Sequence, residues 1–152
     1  MKLNLQKDFE DILRIFNTNS VEYIIVGGYA VSFYSQPKYT KDLDIWIKST
    51  FENLQRVLNA LNEFGFEHSE LTMEDFMKEN NFIQIGYPPV RIDFLTTLLD
   101  VDFDEVYKRT VRGNYGNLTK VPYLSLDDLL KNKIATGRDS DLYDIKWLKK
   151  FV

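Results

Sequence analysis

The sequence predicts an α/β (α+β) fold: a mixed β-sheet flanked by helices, with further helices at the C-terminus. Three observations carry that prediction. Val21-Glu-Tyr-Ile-Ile-Val26 is an apolar, β-rich run that stops at Gly27-Gly28. Asp42-Leu-Asp-Ile-Trp-Ile47 alternates polar and apolar positions, as a strand with one face in the core does. Between and around these runs, apolar residues recur at three- and four-residue steps, the period of amphipathic helices. Strands and helices interleave without strict βαβ regularity, which favours a mixed sheet over a wholly parallel one.

Taken in order, Leu5, Phe9, Ile12, Leu13 and Phe16 share one helical face, and Asn17 to Ser20 ends that helix. After the first strand, Tyr29 to Ser35 makes a short helix closed by Gln36-Pro37. Ser49 or Thr50 caps the next helix, in which Phe51, Leu54, Val57, Leu58 and Leu61 face the core and Gly65 is the stop. Two strands, Asn81 to Gly86 and Val90 to Leu95, are joined around Gly86-Tyr-Pro-Pro89. A helix is expected from Asp100 to Arg109 and a short strand or extended segment from Asn117 to Leu124. Ser125 with Asp128 three residues on resembles a capping box and starts a helix. A last helix, from about Ser140 to Phe151, turns Leu142, Ile145 and Leu148 inward.

With 152 residues and no linker-like stretch or internal repeat, residues 1–152 read as a single domain. The chain is 44% hydrophobic, enough for a real core. A formal charge of −4 argues against binding nucleic acid through bulk charge. The absence of Cys removes disulfides, thiolate metal sites and Cys nucleophiles, and a single His, His68, removes multi-histidine zinc sites. No apolar run approaches the roughly 18 residues that span a bilayer, and the polar start is unlike a secretory signal. The expectation is a cytoplasmic protein that does not enter a membrane.

The chemistry lies in the carboxylates. On a strand, Asp42 and Asp44 project to the same side, about 6–7 Å apart. Asp93 lies on another candidate strand, with Ile92 and Phe94 turned the opposite way. If those strands are neighbours, three carboxylates converge on one face and repel one another unless cations sit between them. Hard divalent ions with oxygen ligands, Mg²⁺ or alternatively Mn²⁺, are the natural partners. A pair of such ions roughly 4 Å apart is a common arrangement for in-line displacement at phosphorus. Gly27 and Gly28, between a strand and a helix, let a phosphate approach the backbone and the free N–H groups of the helix start. An Asp-x-Asp alone is most often a solvated strand face, and a Gly-Gly alone a turn. Their ordered combination, with a later apolar-Asp-apolar strand, points to nucleotide chemistry.

That order resembles the nucleotidyltransferase superfamily, whose pattern is Gly-Gly or Gly-Ser, then Asp-x-Asp, then a third Asp on a later strand. Gly27-Gly-Tyr-Ala30 and Tyr39-Thr-Lys-Asp-Leu-Asp-Ile45 look most like the abortive-infection (AbiEii-like) branch and related small bacterial members, some of them in toxin–antitoxin systems. The resemblance implies Mg²⁺-dependent transfer of a nucleoside monophosphate from a nucleoside triphosphate to an acceptor hydroxyl. Asp42, Asp44 and Asp93 would be the catalytic metal ligands, with Asp93 also helping to activate the acceptor. It implies nucleotide contacts from Gly27 and Gly28, and from Lys38 and Thr40, which fall in the stretch where the branch has Arg-x-Thr-x-Asp. Gly28 stands where many relatives have a Ser that touches a terminal phosphate, and Lys38 offers a point charge where the branch has a guanidinium fork. Lys133-Ile-Ala-Thr-Gly-Arg138, followed by Asp141 and Asp144, looks like the branch's Lys…Arg…Asp motif, which makes Lys133 and Arg138 triphosphate ligands. The same residues also suit a solvated helix end, where the dipole favours cations.

Other residues read plainly. His68 sits in a connection beside Glu67 and Glu70, Trp46 and Trp147 read as packing residues, and Lys108 through Lys120 as a solvated basic loop. RNA, a partner protein and a small hydroxyl compound all remain open as acceptors. A non-catalytic nucleotide-binding or interaction module of the same fold is the main alternative to the enzyme, and a two-metal phosphohydrolase is a third reading.

Overall fold

In the computed structural model, the described residues are 5–35, 42–66, 71–77, 82–87, 90–98 and 101–151. Six strands form one sheet: β1 (Tyr23–Val26), β2 (Asp42–Ile47), β3 (Phe82–Tyr87), β4 (Val90–Leu95), β5 (Val111–Tyr115) and β6 (Leu118–Tyr123). Their spatial order is β3-β4-β2-β1-β6-β5. The β2–β4 and β1–β6 pairs are parallel and the other three antiparallel, so the sheet is mixed.

Helices cover both faces because both faces are apolar, beyond what simple alternation in β2 suggests. On one face, Leu43, Ile45, Ile92 and Phe94 pack with Phe9, Ile12 and Phe16 of α1 (Leu5–Thr18), with Leu54 and Val57 of α3 (Phe51–Phe64) and with Phe76 of α4 (Met73–Met77). On the other, Ile24, Val26 and Trp46 meet Ala30 and Val31 of α2 (Gly27–Tyr34) and Phe103 and Val106 of α5 (Phe103–Lys108). Leu129 of α6 (Leu126–Thr136) and Leu148 of α7 (Asp139–Leu148) complete that second cluster. Each such fully buried side chain contributes on the order of 1.5–3 kcal/mol. Trp46 is thus a core residue, as expected, while Trp147 is half-buried against Tyr143 and beneath the Lys150 ammonium.

The capping chemistry works as the sequence suggests. Thr50, rather than Ser49, accepts from the Asn53 N–H, and Gly65 ends α3 with a φ of 117°, which the lack of a Cβ permits. Ser125 accepts from the Asp128 N–H at 3.1 Å. The Asp128 carboxylate binds the Ser125 hydroxyl, not the backbone, and takes both arms of Arg109.

Four expectations need correction. Phe51 begins α3 at 61% exposure, and the buried face of the helix starts two residues later with Asn53 and Leu54. Leu142 is 56% exposed; α7 instead turns Asp141, Asp144, Ile145 and Leu148 inward, so polar residues occupy part of its buried face. The last helix stops at Leu148 and a 3₁₀ turn follows over Lys149–Phe151. The basic stretch after Lys108 is not a loop: it contains β5, an edge strand whose polar residues face outward.

Candidate functional site

Strand register builds the site. In the parallel β2–β4 pair, Asp44 lies opposite Asp93 and Asp42 opposite Arg91. Leu43, Ile45, Ile92 and Phe94 take the alternate positions in the core, which sends the charged residues to the other face. From the outer side, β3 sets Gln84 opposite Asp93, and its amide donates to Asp93 Oδ1 at 2.8 Å. From the inner side, Val26 pairs with Asp44, and the chain leaves β1 for α2 immediately afterwards. Gly27 takes a φ of 66°, and a Cβ there would overlap the Asp44 carboxylate. Its missing side chain is therefore the space Asp44 occupies. The N-cap of α2, Val26, supplies no side-chain cap, and Gly28 follows in the first turn.

The three predicted aspartates share one cavity but not one environment. Asp44 and Asp93 stand opposite each other; burial first, and then the Asp93 charge, pushes the Asp44 carboxyl up to about 7, with Lys133 pulling the other way. Asp42 is instead held by both arms of Arg91, with Nε at 2.9 Å and Nη2 at 2.7 Å. Among the described residues no group of three carboxylates or histidines is gathered closely enough to encage a metal ion as it stands.

The opposite wall comes from α6 and the start of α7. Lys133 is buried, and its ammonium lies 3.0 Å from Asp141 and 3.1 Å from Asp144. Arg138 places Nε 2.8 Å from Asp141, while most of its side chain stays exposed. Asp141 also accepts from the Thr136 hydroxyl at 2.6 Å and the Arg138 backbone N–H at 3.2 Å. Burial pushes the Asp141 carboxyl up, but hydrogen bonds from Arg138, Thr136 and Lys133 outweigh it and hold it well below the usual carboxylate range.

Together these walls enclose a cavity of about 590 Å³ lined by Gly27, Asp42, Asp44, Asp93, Lys133 and Arg138, with Thr97, Asn132 and Thr136. The fold thus brings three carboxylates, the glycine turn and two cations from separate elements to one place. Lys38, Thr40, Lys41 and His68 lie outside the described residues. Sequence reasoning assigned no role to Arg91, Gln84, Asn132 or Thr136. Arg91 had a signal: two residues from Asp93 on one strand, it must share its face. Gln84 had none, because its pairing depends on hairpin register.

Comparisons with known proteins bear on the fold and the family. Residues 3–149 match the profile of a family described as nucleotidyltransferases of unknown function (DUF6036). Among solved structures, the lincomycin-bound lincosamide antibiotic adenylyltransferase LnuA is similar with a TM-score of 0.59 at 18% identity, over 96% of this chain and 97% of that one. A Thermotoga maritima protein assigned as a nucleotidyltransferase (TM1012) gives 0.61 at 15% identity, over 95% and 92%. An antigenic nucleotidyltransferase-like protein from Paracoccidioides brasiliensis gives 0.60 at 16%, over 97% and 77%. At such identities the likeness concerns the fold. A search of curated proteins returns no significant match. With the profile covering nearly its whole length, the chain belongs to the DUF6036 family of the nucleotidyltransferase superfamily.

Proposed function

We propose that the protein moves a nucleoside monophosphate from a nucleoside triphosphate to an acceptor hydroxyl, with Mg²⁺ as the working cation. The observation that carries this is the Asp44–Asp93 pair: two carboxylates directly opposite each other, in a cavity whose far wall holds Lys133 and Arg138. Proteins rarely bury adjacent like charges without a cation to balance them. The donor set, all carboxylate oxygen, suits a hard divalent ion, with Asp44 and Asp93 opposite each other and Asp42 two residues along the same strand as Asp44. Such an ion would neutralise charge on the phosphates and on the oxygen that leaves with pyrophosphate.

The chain's own residues do the rest. Gly27 lets the polyphosphate approach the backbone, where the N–H groups at the start of α2 carry no side-chain cap. Arg138, mostly exposed at the rim, can turn toward phosphate, while Lys133 supplies a fixed positive field from its buried position. Asp93, which accepts a hydrogen bond from Gln84, would take the acceptor's proton as its oxygen attacks the α-phosphorus and pyrophosphate leaves. For the acceptor we favour a small hydroxyl compound over RNA. The net charge of −4 opposes nucleic-acid binding, and one structural neighbour is an antibiotic adenylyltransferase.

The test is incorporation of α-labelled ATP, GTP, CTP and UTP into small-molecule, RNA and protein fractions of a cell extract, with Mg²⁺ or EDTA. Label in the small-molecule fraction that is lost in EDTA and in Asp44→Asn is expected. Label on RNA or protein would move the acceptor toward a toxin–antitoxin setting. Nucleotide binding by calorimetry with no label in any fraction would favour the non-catalytic module.

A further inference from the structure

Arg91 has no part in the chemistry proposed for the site, yet among the described residues it is the guanidinium held on a predicted metal ligand. It sits directly opposite Asp42 in the β2–β4 register and grips both carboxylate oxygens at 2.9 and 2.7 Å. This fork is the geometry in which a guanidinium binds a carboxylate most strongly. Neither partner is at the open surface; the two side chains are 32% and 22% exposed. Asp42 therefore already has a counter-ion supplied by the chain, whereas Asp44 and Asp93, two register positions away, have each other. Each Asp42 oxygen already gives a lone pair to Arg91, so a cation that takes Asp42 as a ligand must work against the guanidinium charge held on the same carboxylate.

We infer that Arg91 is a built-in competitor for the divalent cation at Asp42, a positioning residue whose guanidinium gives way as all three carboxylates come to act on one ion cluster. The inference rests on the metal-dependent reading of the site. It gives the carboxylates different duties, in which Asp44 and Asp93 receive the first cation and Asp42 joins once its fork opens. It also gives the chain a way to hold an acidic face together when no ion is bound.

Mn²⁺ binding to the nucleotide-free protein, followed by calorimetry and by the electron paramagnetic resonance of free Mn²⁺, tests this without reference to turnover. Arg91→Lys keeps the charge and loses the fork; Arg91→Met loses both. Under exchange, both variants bind Mn²⁺ about three- to tenfold more tightly than the parent, as the loss of one partly exposed charge-assisted fork implies. In an Asp42→Asn background neither substitution produces that gain, since there is no carboxylate left to compete for. Simple charge removal makes the opposite pattern: no gain in Arg91→Lys, and a gain in Arg91→Met that survives Asp42→Asn. That pattern overturns the inference, as does an affinity indifferent to Arg91. Melting curves confirm that each variant is folded, and the conservative Arg91→Lys arm suffices if Arg91→Met is not. Absence of Mn²⁺ binding in every form overturns the exchange and the metal reading together, whereas binding that ignores Arg91 removes only the exchange.

Discussion

Two pairs of aspartates serve the same cavity, one lining it and one buried behind the wall that Lys133 and Arg138 form, and they are held in opposite ways. Asp141 and Asp144 come from α7 with the Lys133 ammonium between them and Arg138 on the outer edge. Asp44 and Asp93 meet across the β2–β4 pair, with a neutral amide, Gln84, on Asp93 and like charge between them. The first pair is satisfied and therefore built to stay as it is. The second is left short of positive charge, which is what a site that binds a cation needs and what a purely structural cluster avoids. The difference separates scaffold from chemistry within one pocket, and each half can be attacked separately.

The largest effect should come from the satisfied pair. Lys133→Met removes the shared cation and leaves two buried carboxylates short of charge, a loss of about 3–5 kcal/mol in a chemical-denaturation curve. Lys133 thus carries a structural load besides any contact with a triphosphate. A parental denaturation midpoint would show the cluster to be as dispensable as a surface pair.

The unsatisfied pair should behave in the reverse sense. The Asp44 carboxyl is raised in the folded protein to about 7, from 3.8 in the unfolded chain. The folded state therefore binds its proton more tightly, and that stability is present at low pH and lost as pH rises through about 7. Between pH 8 and pH 5.5 the metal-free protein should gain about 2 kcal/mol. Asp44→Asn should flatten the dependence and be at least as stable as the parent at pH 8. Asp141, held low, loses its contribution only at far more acid pH and does not enter this window. A melting temperature that rises from pH 5.5 to 8 would contradict the crowding of Asp44.

How much of this was legible in the sequence differs between the two pairs. Alternation in Asp42–Ile47 and Arg91–Phe94 placed Asp42, Asp44 and Asp93 on one side of their strands, because a strand's period is two and needs no tertiary information. It did not reveal that a fork ties Asp42 to Arg91, since that depends on which residues stand opposite in the pairing. The satisfied pair was harder. Asp141 and Asp144 lie on the buried side of a helix where apolar Leu142 was expected, because a buried cation can outrank hydrophobicity in deciding which face turns inward. Nor did β5 announce itself: Val111-Arg-Gly-Asn-Tyr115 is an edge strand, exposed enough to carry residues that read as a loop.

Smaller effects sharpen the boundary. Arg138→Ala removes a mostly exposed partner of Asp141, so stability should fall by about 1 kcal/mol or less while nucleotide affinity drops. Unchanged affinity would assign Arg138 to the scaffold half alone. Smallest of all, Leu142→Ser, between the two acidic positions of α7, should stay within about 0.5 kcal/mol of the parent. A larger loss would mean that the helix is anchored by this side chain as well as by its aspartates.

The glycine at the end of β1 has a consequence for how this chain can change over generations. Position 27 is empty of side chain because a carboxylate from position 44 fills that volume. The two positions are thus one inheritable choice and not two. Any descendant that keeps the aspartate is bound to keep the glycine, and one that places even a methyl group at 27 must first move or surrender the acid. In a library varying both positions together, tolerated substitutions at 27 should occur only beside smaller residues at 44. Loss of this turn would then be a visible scar of a site that has stopped doing chemistry.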